Sequence, residues 1–263
     1  MYLRFIICTV KFSEYIAVNH VFKASDLLDA CDSAASAKEQ LRIAARDGKV
    51  DRARRGLYVS KVGPYRKEAP DSLEVIAAID PDATVCYHTA LDVLGVAHNV
   101  SFQREFRTGA IRSAFDYGGI RYVPYPPEEG MRTRRVRTGP AGRVNATTKE
   151  QTLCDCLSEP RRAGGLEEVV RATSAFAYVD AGEVLEIAGA LGKTDAARIG
   201  WLLSEKAEDW RVPGEVLSGL RSLLGKGPYR FGPAREGSEG WSPEWRLTFP
   251  EPIEEVESWI TRK

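Results

Sequence analysis

The chain has 263 residues, enough for one large domain or two ordinary ones, and 43% are hydrophobic, which excludes a disordered coil. The 37 Lys and Arg residues balance the 37 Asp and Glu residues, so the formal net charge is zero. Composition alone therefore does not indicate a nucleic-acid partner, and any such function must depend on where the charges lie.

The sequence is not expected to begin with an export signal or a membrane anchor. Its first dozen residues, MYLRFIICTVKF, are apolar, but they are too short to span a bilayer and lack a cleavage site. They predict a leading strand. Alternatively, the biological start lies further along, because a first helix is expected near Ser13 or Glu14. Five scattered cysteines without paired metal spacing indicate reduced thiols in a cytoplasmic protein.

A segment near the N-terminus has the pattern of a helix-turn-helix. Ser25 and Asp26 are predicted to cap a short helix, which a turn at residues 32–33 then ends. A second helix is expected to start near Ser33 or Ser36 and to stop at Gly48. Its buried stripe comprises residues at helical spacing, namely Ala37, Leu41 and Ala44.

A hairpin with a basic tip is predicted directly after this helix. Residues 49–52 and 57–59 alternate polar and apolar side chains around the tip ARRG. This order predicts a winged helix-turn-helix, whose helix enters a DNA major groove while the hairpin, or wing, contacts phosphate. The alternative is an ordinary solvated face. The predicted contacts are Lys38, Arg42, Arg46, Lys49, Arg52, Arg54, Arg55 and Ser36, with Ser36 and Lys38 as the candidates for base edges.

The charges are segregated along the chain. Residues 1–66 hold 12 basic and 7 acidic side chains, and residues 100–149 hold ten basic and four acidic ones. The compensating acids lie mainly in the C-terminal half, which predicts a basic and an acidic side of the molecule. The second basic segment predicts a strand or loop with four arginines, Arg132, Arg134, Arg135 and Arg137. This stretch either extends the DNA contact, or forms a solvated face or serves the domain core.

Turn residues at 63–64 and 70–72 predict a domain boundary, giving a DNA-binding domain over 1–70 and a larger one over 71–263. In the larger domain, helices are expected over 73–79 and 88–94, and residues 102–125 predict an antiparallel sheet. From Thr147 onward the pattern is helical, and residues 225–243 predict a surface excursion. The predicted fold class is α+β, with a winged helix-turn-helix followed by a mixed domain that has an antiparallel sheet and C-terminal helices.

No sequence pattern supports catalysis or a bound metal. The three histidines lie outside any HExxH motif, and neither a GxxxxGKS/T phosphate loop nor a GxGxxG motif after a strand is present. We therefore expect neither enzymatic activity nor a cofactor. Two alternatives stay open: a nuclease that the winged domain delivers to DNA, and a repressor whose C-terminal domain binds a small molecule.

Four stretches also carry a family resemblance. They are VDRARRGLYV in the wing, YHTALDVLGV, ATTKEQTLCDCL with RRAGGLEEVVRA, and AARIGWLLSE. In order and spacing they resemble the AbiEi family of antitoxins, from type IV toxin-antitoxin (abortive-infection) systems, over residues 21 to 205. Glu150-Gln151 stands where that family usually shows Glu-Arg, and neither the first dozen residues nor the tail after Trp210 has a counterpart.

The resemblance implies a bifunctional antitoxin. Its N-terminal domain is expected to bind double-stranded DNA at inverted repeats in its own promoter and to repress the operon, with a homodimer on DNA as one arrangement. Its C-terminal domain is expected to neutralise a nucleotidyltransferase-like toxin without a stable complex. The residues themselves support only the DNA-binding half.

Overall fold

A computed structural model describes residues 11–28, 30–31, 33–138, 142–232 and 240–260. The chain divides into two compact units. The first comprises Met1–Thr84, Phe102–Pro127 and Arg135–Asn145, and the second comprises Val85–Ser101, Glu128–Arg134 and Ala146–Lys263. The boundary expected near residue 70 lies inside the first unit, which therefore contains the winged segment together with strands from the middle of the chain.

The N-terminal segment is a winged helix-turn-helix, as the sequence predicts. Its elements are α1 (residues 11–18), β1 (Val21–Lys23), a 3-10 helix (Ala24–Leu28), α2 (Ala34–Arg46), β2 (Val50–Arg54) and β3 (Leu57–Ser60). The three strands form an antiparallel sheet in the order β1-β3-β2. The predicted helix after Ser25 is only one 3-10 turn, and the Asp26 carboxylate accepts a hydrogen bond from the Lys23 N–H at 2.8 Å.

The core of this module explains why residues 11–18 form a helix. Phe12 and Ile16 are four residues apart, so both point to one side of a helix, and both are buried against Phe22, Leu27 and Leu41. The leading strand predicted for the first dozen residues is therefore wrong at Lys11 and Phe12. The rest of that prediction, residues 1–10, lies outside the described residues.

The first unit also holds α3 (Ser72–Ile79) and most of a six-stranded sheet. Its strands are β4 (Thr84–Val85), β5 (Gln103–Arg107), β6 (Phe115–Tyr117), β7 (Ile120–Tyr125), β8 (Thr133–Thr138) and β9 (Gly142–Thr147), in the order β6-β7-β5-β4-β9-β8. The antiparallel pairing predicted within 102–125 holds for β6 and β7, whereas β5 runs parallel to β7. The reason is that β6 forms its hairpin on the outer side of β7, so β7 returns beside β5 in the same direction.

The second unit is mainly helical. Its helices are α4 (Tyr87–Leu94), α5 (Lys149–Ser158), α6 (Leu166–Ser174), α7 (Ala181–Ala190), α8 (Lys193–Glu205), α9 (Ala207–Trp210), α10 (Gly214–Ser222) and α11 (Ile253–Ser258), with a 3-10 helix at Pro160–Ala163. Thr148 caps the start of α5, since its hydroxyl accepts a hydrogen bond from the Gln151 N–H at 3.3 Å. The C-terminal helices expected from the sequence are therefore confirmed.

A small sheet corrects the expectation of a surface excursion over 225–243. It consists of β10 (Tyr229–Arg230), β11 (Gly240–Ser242) and β12 (Leu247–Phe249), in the order β10-β12-β11. Phe231 is fully buried and packs edge-on against Trp201, so aromatic burial holds the start of this stretch in the core. The remainder of the stretch, residues 233–239, lies outside the described residues.

The cysteines in the described ranges are core residues. Cys31, Cys86, Cys154 and Cys156 are all buried, and no disulfide joins any of these four. Burial raises the pKa of the Cys154 thiol well above its usual range. Across the same ranges, no helix is long and apolar enough to cross a membrane.

Candidate nucleic-acid interface

Helix α2 is held in place by an N-terminal cap and an apolar stripe. Ser33 is the N-cap, and its hydroxyl accepts a hydrogen bond from the Ser36 N–H at 3.1 Å. One face is buried in the core of the module through Ala37, Leu41 and Ala44. The helix ends at Arg46, and Gly48 follows with a φ of +66°, which glycine adopts without strain. The opposite face is thereby presented to solvent.

The exposed face of α2 carries three of the predicted DNA contacts, Lys38, Arg42 and Arg46, while Ser36 is partly buried at its edge. Two of these cations already have acidic partners. Arg42 donates two hydrogen bonds to Glu39, from Nε at 2.9 Å and from Nη2 at 2.7 Å. Arg46 donates from Nε to the Asp47 carboxylate at 3.1 Å. Exposed pairs of this kind contribute little to stability, so they do not prevent either arginine from reaching a ligand.

The wing is a tighter hairpin than the sequence predicts. Strand β2 ends at Arg54 and strand β3 begins at Leu57, so only Arg55 and Gly56 form the tip. A bulge between Arg52 and Arg54 interrupts the pairing register and leaves Ala53 buried. The tip expected to comprise residues 53–56 is therefore shorter by two. Lys49, Arg52 and Arg55 are exposed on this hairpin.

Arg54 differs from the other wing cations. Its guanidinium carbon lies 5.2 Å from the centroid of the Phe115 ring on β6, and its Nη1 is buried without a hydrogen-bond partner. Nearby, burial and the Asp51 carboxylate raise the pKa of Tyr117, also on β6, to about 12. Strand β2 thus packs on β6, and Arg54 is directed toward the sheet of its own unit.

The four arginines at 132–137 do not form one uniform patch. Arg132 belongs to the second unit, where its guanidinium lies 2.6 Å from Glu186 and 3.4 Å from Glu183, and the hydrogen bond to Glu186 raises its pKa. Arg135 belongs to the first unit and donates to the Pro81 carbonyl at 3.0 Å, with Asp82 at 3.6 Å. Arg134, in the second unit, and Arg137, in the first, are exposed on β8, an edge strand of the six-stranded sheet. Cations on an edge strand also discourage edge-to-edge pairing, which is a second explanation for them.

The structure thus brings together, on one module, the exposed cations of α2 and of the wing. Arg54, Arg132 and Arg135 are directed toward partners inside their own units. Sequence reasoning places Glu39 on the open face of α2 but misses its pairing with Arg42, although their i, i+3 spacing on a predicted helix was a usable signal. It also missed Phe115, for which no local signal exists because 61 positions separate it from Arg54.

The two units carry opposite net charges. The first contains 20 Lys and Arg residues against 14 Asp and Glu, whereas the second contains 17 against 23. The predicted segregation of charge is therefore present between units, with the winged module on the basic one. A basic surface favours encounter with nucleic acid even when the whole chain is neutral.

A large cavity lies wholly within the second unit. Its volume is about 920 Å³, and its lining includes Arg161, Arg198, Phe231 and Trp259. Arg198 donates hydrogen bonds to the carbonyls of Ser158 at 2.6 Å and Arg230 at 2.9 Å, and burial lowers its pKa. The described residues contain no group of three or more His, Cys, Asp or Glu side chains arranged to hold a metal ion.

Comparison with known proteins bears on the fold. No family model matches the sequence, and no curated protein matches it. The chain is similar to the crystal structure of the RV2827C protein from Mycobacterium tuberculosis, with a TM-score of 0.67 and 16% sequence identity. The match covers 97% of this chain and 95% of that one, so the likeness extends over both units. At this identity it shows a shared fold.

Proposed function

We propose that this protein is a DNA-binding antitoxin that represses its own operon and neutralises a nucleotidyltransferase-like toxin. The observation that carries the proposal is the exposed basic face of α2, followed at once by a basic wing, on a unit with net positive charge. In a winged helix-turn-helix this helix enters the major groove, and the wing contacts flanking phosphate. Lys38, Arg42, Lys49, Arg52 and Arg55 have the exposure that such contacts require.

The proposed operator is an inverted repeat in the protein's own promoter. Two copies of the chain, related by a two-fold axis, would place two α2 helices in successive major grooves. Half-sites for such a dimer are separated by one helical turn of DNA, about 34–36 Å. A footprint with this spacing is the arrangement that the proposal predicts.

The antitoxin half of the proposal rests on the resemblance of the four sequence stretches to the AbiEi family. It assigns neutralisation of a nucleotidyltransferase-like toxin to the C-terminal domain, without a stable complex. The scattered cysteines of the sequence favour a cytoplasmic location. The opposite net charges of the two units support a division of labour between them.

A separation-of-function experiment tests both halves in the full chain. The variant K49A/R52A/R55A should lose repression of a reporter fused to the operon promoter, because three exposed phosphate contacts are removed. It should still rescue growth when the toxin encoded beside it is expressed. Loss of rescue in this folded variant would contradict the division of labour, and undiminished repression would contradict the wing contacts.

The cavity in the second unit favours a second candidate, a repressor that responds to a small molecule. Its volume of about 920 Å³ falls in the range of small-molecule sites, and it combines aromatic and arginine side chains. A thermal-shift screen against metabolites would identify a ligand by a concentration-dependent rise in Tm. If such a ligand also changed the affinity for the promoter, this candidate would replace the antitoxin proposal.

A further inference from the structure

A bidentate ion pair occupies the exposed face of α2. Glu39 accepts both hydrogen bonds on the side of the Arg42 guanidinium formed by Nε and Nη2, at 2.9 and 2.7 Å. The arginine and glutamate side chains are 63% and 47% exposed, so the pair stands at the surface. The hydrogen bond from Arg42 also lowers the pKa of Glu39, which keeps this carboxyl ionised at neutral pH.

The pair leaves one edge of the guanidinium available. A guanidinium has five N–H donors in a rigid plane, and Glu39 takes the Nε donor and one Nη2 donor. The remaining edge, formed by Nη1 and Nη2, is directed away from the carboxylate. Two parallel donors on this edge match the O6 and N7 acceptors that guanine presents in the major groove.

The position of Arg42 on the helix supports this role. At about 100° per residue, the exposed positions of α2 cover an arc of about 140°, from Ala34 on one side to Glu39 on the other. Arg42 lies near the middle of this arc and Glu39 lies at its margin. The exposed neighbours at positions 34, 35 and 45 are alanines, which allow a groove to approach the guanidinium closely.

We propose that Glu39 is a positioning residue that fixes the Arg42 fork for bidentate recognition of a guanine in the operator. This inference rests on the proposed DNA-binding function and deepens it, because it turns Arg42 from a phosphate contact into a base reader. The pair contributes little to stability as a surface ion pair. Its effect is to order the arginine before DNA binds, so that less conformational entropy is lost in the complex.

The test compares E39Q with wild type by fluorescence anisotropy on two duplexes, the DNA directly upstream of the gene and a shuffled version. We expect E39Q to lower the ratio of the two affinities by roughly tenfold, within the range of one bidentate base contact. If Glu39 were only a surface carboxylate near DNA, the result would be different. Removing its negative charge would then strengthen binding to both duplexes alike and leave the ratio of affinities unchanged. D47N is the matched control, since it removes a charge from the other arginine pair of the helix. It should leave the ratio unchanged.

A second probe identifies the base. Replacing the guanines of the upstream duplex one at a time with 7-deazaguanine removes the N7 acceptor at each position. At one of these positions the replacement should weaken binding of the wild type but not of E39Q or R42A. An unchanged affinity ratio in E39Q, with a wild type that discriminates, overturns this inference alone. A new base preference in E39Q also overturns it, because Glu39 would then read a base directly. A wild type that does not discriminate the two duplexes overturns the proposed function itself.

Discussion

The guanidinium carbon of Arg54 lies 5.2 Å from the centroid of the Phe115 ring, so a residue of the wing is held by a strand from the middle of the chain. Because Arg55, its neighbour, is exposed at the hairpin tip, two adjacent arginines have different surroundings. One side chain supports the position of the wing, and the other is available to phosphate.

This difference predicts that R54A and R55A act differently. R55A should weaken binding to all duplexes and reduce the slope of log affinity against log salt by roughly one, because one phosphate contact is lost. R54A should lower stability by about 0.5–1 kcal/mol, the typical worth of an accessible cation–π contact. Salt titrations and urea unfolding of both variants provide the measurements. Equal salt slopes for R55A and wild type would show that the tip does not contact DNA.

The β8 edge predicts an extension of the DNA footprint. Arg135 and Arg137 are in the same unit as the wing, and five strand spacings of about 4.8 Å place β8 about 24 Å from β6 across the sheet. We expect R135E/R137E to reduce the salt slope by roughly two and to weaken binding to every duplex. The control K226E/R211E reverses two exposed charges of the second unit and should have little effect. If R135E/R137E bound DNA with unchanged affinity, these arginines would not contact DNA, and their role would be to discourage edge-to-edge pairing of β8.

Tyr117 predicts a loss of stability at alkaline pH. Its pKa is raised to about 12 by burial first and by Asp51 second, so the folded protein keeps this phenol neutral to higher pH than the unfolded chain does. The corresponding stabilisation is complete below pH 10 and is lost as the pH rises toward 12. The pKa of Tyr117 is measured as the difference between the tyrosinate absorbance titrations of wild type and Y117F. D51N should lower the Tyr117 pKa, and an ordinary pKa near 10 in wild type would contradict the burial.

Gly200 in α8, within the motif AARIGWLLSE, lies where a larger side chain does not fit. A Cβ added at this position would overlap the ring of Trp245, whose indole N–H donates to the Ser204 hydroxyl at 2.9 Å. We expect G200A to destabilise the protein by about 1–3 kcal/mol, the usual cost of overpacking a core. G189A is the control, because nothing lies within 4 Å of a Cβ added there. Gly189 lies in the last turn of α7, so G189A should change stability by no more than about 0.5–1 kcal/mol. Equal urea midpoints for both variants would mean that the ring moves aside freely.

Local signals in the sequence were sufficient for helix α2 and the two strands of the wing, although not for the first helix or for β1. The Ser33 cap, the Ala37–Leu41–Ala44 stripe and the glycine after the helix each act within a few residues, and together they define α2 and the start of the wing. The β6-β7 hairpin was predictable for the same reason, since Gly118 and Gly119 both adopt positive φ at its turn.

Interactions between distant parts of the chain were not predictable. The pairing of β5 with β7 in parallel, the ring of Phe115 beneath Arg54 and the carboxylate of Glu186 beside Arg132 each join segments more than ten residues apart. Sequence periodicity reports which face of an element is buried but not what covers it. Of the twelve residues proposed for DNA contact, Arg54, Arg132 and Arg135 therefore acquired partners distant in the sequence that no local pattern could indicate.

The central claim is that the protein recognises its own promoter, and fluorescence anisotropy over a salt series tests it most directly. The purified full chain is titrated with the duplex upstream of its gene and with a shuffled duplex of the same composition. We expect a preference of roughly 10³ or more for the promoter, which is the range of specific DNA-binding proteins. Equal and steeply salt-dependent binding to both duplexes would contradict it, because the basic face would then be only a non-specific electrostatic contact.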